Sequence, residues 1–215
     1  MLRSVLNLLF PPKCIFCGRF LGIKCELEIC KKCLGKIPFS GDCSRWVSGS
    51  CYYDSLICLC EYSGIMKDAL VDFKFHDKPG LGRTLGKLLS KKIMEMTNTA
   101  QFDIITCVPL HRKRMAERGY NQSELLCREL SRGLDIPLDL GIIRRVRNTE
   151  PQSLLSGSRR RLNMKGAFAA SRENRAENMA VLLIDDIMTT GSTLNECSRV
   201  LKESGAASVS AAVIA

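Results

Sequence analysis

The chain has 215 residues, 46% of them hydrophobic, which suffices for one full domain and a small appendage and excludes a disordered chain. Its net charge of +10 directs it toward anions. Much of that excess is local: between positions 144 and 165, seven basic residues stand against Glu150 alone. Such a patch suits a polyphosphate or a nucleic acid, and also a solvated surface loop.

In chain order, residues 1–10 predict a short amphipathic helix packed on the next module. The apolar run is too short to insert in a membrane and lacks a small-residue cleavage site. Twelve Cys without a secretory signal point to the reducing cytoplasm, where Cys clusters bind metal more often than they form disulfides. Cys14-x2-Cys17 and Cys30-x2-Cys33 are separated by twelve residues and supply four thiolates for a tetrahedral Zn²⁺. Gly18 and Gly35 follow the two pairs, where knuckle turns need glycine, and Cys25 lies outside the ligand set. A ribbon this small cannot build a sufficient core without metal, so the Zn²⁺ is structural. Cys density falls after Cys60, which divides the chain into a zinc-ribbon module at 1–54 and a domain at 55–215.

The second part alternates. A strand is expected over 55–62, with Cys58 and Cys60 facing one side as core. Helices follow at 65–73 and 81–96, then a short apolar run at 102–109 of the kind found in buried parallel strands. Asn121 and Glu124 form a capping box for a helix over 121–132, with Gly133 as its stop. Segments 138–147 and 166–171 pair as two arms around the basic loop. A strand at 180–185, a helix at 192–204 stopped by Gly205, and a strand at 207–215 complete the chain. Strands alternating with helices predict a doubly wound parallel sheet.

One segment carries chemistry. An apolar strand runs into Asp185 and Asp186, then Thr189, Thr190, Gly191, Ser192 and Thr193, then a helix. Ligands of open α/β sheets bind at the carboxyl ends of strands. The following helix N-terminus offers unpaired N–H groups and the positive end of a dipole. Gly191 permits close approach of an anion, and the hydroxyls add donors. Two carboxylates beside a phosphate cradle make sense as acceptors for sugar hydroxyls, so the combination spells a sugar phosphate.

Residues 181–193, Val-Leu-Leu-Ile-Asp-Asp-Ile-Met-Thr-Thr-Gly-Ser-Thr, resemble the phosphoribosyl-pyrophosphate (PRPP) motif of type I phosphoribosyltransferases. The resemblance implies that family's α/β fold, a parallel sheet flanked by helices. It also implies that Asp185 and Asp186 hold the ribose 2′- and 3′-hydroxyls while Thr189–Thr193 hold the 5′-phosphate, with Mg²⁺ accompanying PRPP. Purine-salvage members often carry an Asp where Thr189 stands, which argues against a 6-oxopurine acceptor. More narrowly, Val108-Pro-Leu-His-Arg-Lys-Arg114, Arg118-Gly-Tyr-Asn-Gln122, Gln152, Arg159–Arg161, Asn163, Phe73-Lys-Phe75 and the Cys module resemble the ComF family of competence-associated proteins. That resemblance implies a link to natural transformation, with imported single-stranded DNA and competence-machinery proteins as partners. Relatives of that type carry a second ribbon; here Cys43 and Cys51 lack partners, so the second site is degenerate.

The leaving pyrophosphate calls for cationic groups and backbone donors. Pro109 and Leu110 end a strand on the same sheet edge as Asp185 and are assigned to pyrophosphate, with Lys74 and Arg118. Arg159, Arg160 and Arg161 are assigned to a lid. His76 and His111 read as loop residues rather than catalysts. Two functions stay open: a PRPP-dependent glycosyltransferase, and a PRPP sensor or single-stranded-DNA adaptor that transfers nothing. An aromatic content of 6% weakly disfavours base-stacking readout of a strand.

Overall fold

The structure is a computed structural model that describes residues 11–22, 25–41, 51–76, 78–149, 163–171 and 175–215. The expected helix at 1–10, Cys43, Gln152 and Arg159–Arg161 lie outside the described residues. The centre is a parallel sheet of β1 (Ser55–Cys58), β2 (Ile104–Cys107), β5 (Ala180–Asp185) and β6 (Ser208–Val213). The strand order is β1-β6-β5-β2. β2 and β5 align Cys107 with Ile184, and β5 and β6 align Asp185 with Val213, so these strands end at one edge.

Side chains alternate across each strand and feed two apolar layers. Leu182, Ile184, Ile57 and Ala212 face a cluster with Leu85, Leu89, Leu126 and Leu130. Those partners come from α3 (Leu81–Met96) and α5 (Gln122–Leu134), and α2 (Gly64–Phe75) adds Met66, Leu70 and Phe73. Val181, Leu183, Leu56 and Val213 face the opposite cluster, built on Leu194, Cys197 and Leu201 of α6 (Ser192–Glu203). Burial on both faces explains the unbroken apolar runs of β2 and β5. The expected arms also pair: β3 (Ile143–Arg145) and β4 (Phe168–Ala170) form an antiparallel ribbon over the α6 layer.

Three local expectations change. Gly133 does not stop α5; the helix continues to Leu134 and ends on Asp135 at φ 56°. Gly133 instead lets α5 close on α3, since a Cβ there would meet Ser90 Oγ at 3.0 Å. Glu124 does not reach back to the cap; it pairs with Arg128 one turn on, at 2.7 Å. Cys58 and Cys60 fall in different apolar clusters, because β1 ends at Cys58 and Cys60 bridges to Phe39. One helix had no sequence signal. α4 (Arg112–Arg118) buries no residue, so it lacks apolar periodicity. It is set by its ends, with His111 accepting a hydrogen bond from the Lys113 N–H and Gly119 at φ 74°.

Among the described residues, the Cys segment holds one helical turn, α1 (Lys31–Leu34), and a bridge between Lys13 and Phe20. Cys14, Cys30, Cys33 and Ile37 share a buried cluster with Leu88 and Leu89 of α3. Lys87 donates to the Glu26 carbonyl at 3.0 Å, and Lys92 to the Ser40 carbonyl at 2.8 Å. Among the described residues, no helix is long and apolar enough to cross a membrane.

Candidate functional site

Asp185 is the last residue of β5, and the chain leaves the sheet at Asp186. The C-terminal residues hold this exit: Ile214 donates its N–H to the Asp186 carbonyl at 3.1 Å, and Met188 donates to the Ala215 carbonyl at 2.6 Å. The two side chains have different partners. Asp185 Oδ1 accepts from Ser123 Oγ at 2.9 Å and from the Asp186 N–H at 2.9 Å. Asp186 Oδ1 accepts from the Ile187 N–H at 2.7 Å and pairs with Lys74 Nζ at 3.0 Å. Burial, reinforced by the neighbouring Asp186 carboxylate, pushes the Asp185 carboxyl up to about 7; Lys74, the Asp186 N–H and Ser123 restrain the rise.

The loop beyond them leads into α6. Gly191 is its N-cap at φ 69°, a left-handed conformation that disfavours a side chain. A Cβ there would also lie 3.3 Å from Tyr53 Oη. Thr190 Oγ1 and Ser192 Oγ are 2.7 Å apart, and Thr189 and Thr190 are exposed. α6 therefore aims the N-terminal end of a twelve-residue helix into a cradle lined with hydroxyls, beside two carboxylates. Tyr53, buried beneath Gly191, was invisible as a site residue in sequence because it precedes β1 by two positions and the loop by over a hundred. Ser123 likewise carried no signal beyond its place after a helix cap.

The adjoining strand brings Val108, Pro109 and Leu110 to the same edge. Val108 donates its N–H to the Ile184 carbonyl at 2.9 Å, and its own carbonyl accepts from Asn121 Nδ2 at 3.1 Å. Lys74 is placed on the Asp pair. Arg118 Nη1 donates to Gln122 Oε1 at 3.3 Å, and its guanidinium lies 5.4 Å over the Phe75 ring. Two arginines that sequence reasoning left in the general basic stretches or motifs meet at Thr149. Arg114 Nη2 donates to the Thr149 carbonyl at 2.8 Å, and Arg145 donates to its hydroxyl. Among the described residues Arg145 Nε has no hydrogen-bond partner. Burial, with the like charge of Arg114, lowers its pKa to about 10. Only the folded ribbon β3–β4 brings it here.

At the other end, the sulfurs of Cys14, Cys17, Cys30 and Cys33 all lie within 4.8 Å of one another. A tetrahedron with metal–sulfur bonds of about 2.3 Å has edges of about 3.8 Å, and Cys17 Sγ lies 3.8 Å from Cys30 Sγ. The Cys30 N–H points at Cys14 Sγ at 3.4 Å, as at a thiolate. Burial and the other three thiols push Cys33 up to about 12, so four thiolates here need a cation among them. The residues fit a tetrathiolate metal. Gly18 takes φ 70° after the first pair, whereas Gly35 stays right-handed at φ −71°.

The chain is similar to known proteins along most of its length. A family model described as "Phosphoribosyl transferase domain" matches residues 120–215. A protein of Haemophilus influenzae named competence protein F is 35% identical, over 91% of this chain and 93% of its own. The DNA utilization protein YhgH of Escherichia coli is 30% identical, over 91% of this chain and 86% of its own. Competence protein ComFC of Bacillus subtilis is 31% identical, over 97% of this chain and 79% of its own.

Proposed function

The chain belongs to the competence protein F family, and on that premise we propose that it binds PRPP at the end of β5 and transfers its phosphoribosyl group. The observation that carries the reading is the junction of Asp185, Asp186 and the Gly191-capped start of α6 at one sheet edge with Val108–Leu110. Asp185 and Asp186 accept the ribose hydroxyls, and the loop from Thr189 to Thr193 donates to the 5′-phosphate. Val108–Leu110 and the cations Arg114, Arg118 and Arg145 face the charge that develops on the leaving pyrophosphate. Asp185 and Asp186 are the oxygen ligands this chain offers to Mg²⁺, which when bound neutralises part of that charge. Arg159–Arg161 are assigned to the same anion.

Residues 1–54 are read as a zinc-ribbon module in which Cys14, Cys17, Cys30 and Cys33 hold one structural Zn²⁺. The relatives' names, competence protein and DNA utilization protein, support a place in DNA uptake; a cytoplasmic location, with single-stranded DNA and competence-machinery proteins as partners, belongs to the same proposal.

Calorimetric titration with PRPP and Mg²⁺ tests the first claim. The double variant Asp185→Asn with Asp186→Asn should lose PRPP binding while keeping its circular-dichroism spectrum. Unchanged affinity in that variant rejects the site. Pyrophosphate release separates transferase from sensor: a protein that binds PRPP but releases none with any acceptor is the sensor.

A further inference from the structure

The segment that leads into β1 is fastened to both ends of α6. Tyr52 donates its N–H to Asn195 Oδ1 at 2.8 Å, in the first turn of the helix. Asp54 pairs with Lys202 Nζ at 2.8 Å, in the last turn, and accepts the Val209 N–H at 2.7 Å. Tyr53 lies between them and is 4% exposed. Its hydroxyl stands where a side chain at residue 191 would go: a Cβ there would lie 3.3 Å from Tyr53 Oη and 3.6 Å from Met188 Sδ. The ring belongs to the apolar layer under α6, where a phenyl would pack as well. What the hydroxyl adds is its contact with the phosphate loop and with the Cys51 thiol. Burial, with that thiol beside it, pushes the phenol up to about 12, so it stays a neutral O–H.

We propose that Tyr53 is a positioning residue of the phosphate loop, its hydroxyl propping the backbone at Gly191 so that the first N–H groups of α6 converge on a 5′-phosphate. The inference rests on the PRPP reading of that loop and gives Tyr53 no contact with the ligand. Gly191 sits at φ 69°, and glycine moves readily between backbone conformations when nothing holds it. A helix N-terminus binds an anion through several N–H groups at once, so a shift at its cap disturbs all of them together. The bonds from Tyr52 and Asp54 anchor the segment, and the anchored segment carries the prop. The effect is confined to one end of the ligand: it reaches the 5′-phosphate and spares the pyrophosphate assigned to Val108–Leu110.

Calorimetry with ribose 5-phosphate and with pyrophosphate, joined to the amide resonances of Gly191 and Ser192, tests the prop. Tyr53→Phe keeps the ring and removes the hydroxyl. It should shift the Gly191 resonance in the free protein and weaken ribose 5-phosphate binding by ~3–10-fold, while pyrophosphate affinity stays within about twofold. Gly191→Ala should also weaken ribose 5-phosphate binding, and by a smaller factor in the Tyr53→Phe background, where the methyl has room. Equal losses for the two anions in Tyr53→Phe make the residue merely structural and overturn the proposal. Unchanged ribose 5-phosphate affinity overturns it too, as do independent effects of the two substitutions. A wild type whose Gly191 and Ser192 resonances ignore ribose 5-phosphate overturns the phosphate loop and the proposal with it. Ribose 5-phosphate binding that depends on Tyr53 where PRPP fails to bind supports the prop and counts against the PRPP reading alone.

Discussion

Asp185 is held between opposing demands. Its burial against Asp186 favours the protonated acid, while Ser123 and the Asp186 N–H stabilise the carboxylate. A native pKa near 7, above the ordinary carboxylate value, means that the folded state binds more protons than the unfolded chain between those two values. Stability therefore falls as pH rises through that window, and the cost is complete above it. Asp185→Asn should raise the melting temperature by at least ~2 °C at about pH 8 and much less at about pH 5. Equal melting curves at both pH values would contradict the assignment. Ligand binding should run the other way, because the carboxylate is the better acceptor: PRPP affinity should rise from about pH 6 to about pH 8. Ser123→Ala removes a donor to Asp185 and should move that midpoint up by ~0.5–1 unit. A midpoint that stays in place would show that Ser123 does not tune the site.

Among the described helices, α3 and α5 make the most extensive contact. Gly82 and Gly86 of α3 and Gly133 of α5 are small because the helices approach too closely for a side chain. A Cβ at Gly86 would lie 2.7 Å from Glu129 Cβ, and one at Gly82 would lie 2.9 Å from Leu125 Cβ. Two effects compete in Gly86→Ala. Helix propensity favours Ala by about 1 kcal/mol, whereas overpacking costs about 1–3 kcal/mol. Contact between two Cβ atoms cannot be relieved by a rotamer change, so overpacking should win. Melting should fall by ~2–8 °C. A rise would mean that the helices separate freely. The consequence reaches function, since α5 carries Asn121, Gln122 and Ser123 at the end that meets Val108, Phe73 and Asp185.

At the scale of the molecule, the Cys segment and the sheet layer share one apolar cluster, joined through α3. Metal loss should therefore be felt beyond the ribbon. Purified protein should carry one Zn²⁺ per chain, and Cys30→Ser with Cys33→Ser should lose it. The main melting transition should then drop by ~2–4 °C for each kcal/mol of lost stabilisation. A metal content near zero in the wild type excludes the tetrathiolate site. An unshifted main transition after metal loss would show that the ribbon melts independently.

Local chemistry sufficed for some features of this protein. The apolar runs of β2 and β5, the helices α2 and α6 and the Asp185–Thr193 segment all depend on neighbours in the chain, so periodicity and residue type reveal them. The CxxC pairs are of the same kind. Other features arise between segments far apart in sequence. Gly133 reads as a stop signal until α3 is seen against it. Cys58 and Cys60 alternate as a strand should until β1 ends between them. α4 has no buried face to betray it, and the close approach of α3 and α5 appears in sequence only as helix-weakening glycines. Ser123 on Asp185, Lys74 on Asp186, Tyr53 under Gly191 and Arg145 beside Arg114 share that origin. The sequence by itself determined the fold class and the strand–Asp–Asp–loop–helix order of residues 181–193, because both follow from local patterns. Only the tertiary structure decided which distant side chains tune the acids and which ring lies under Gly191, because those contacts exist only once the sheet has brought its strand ends to one edge.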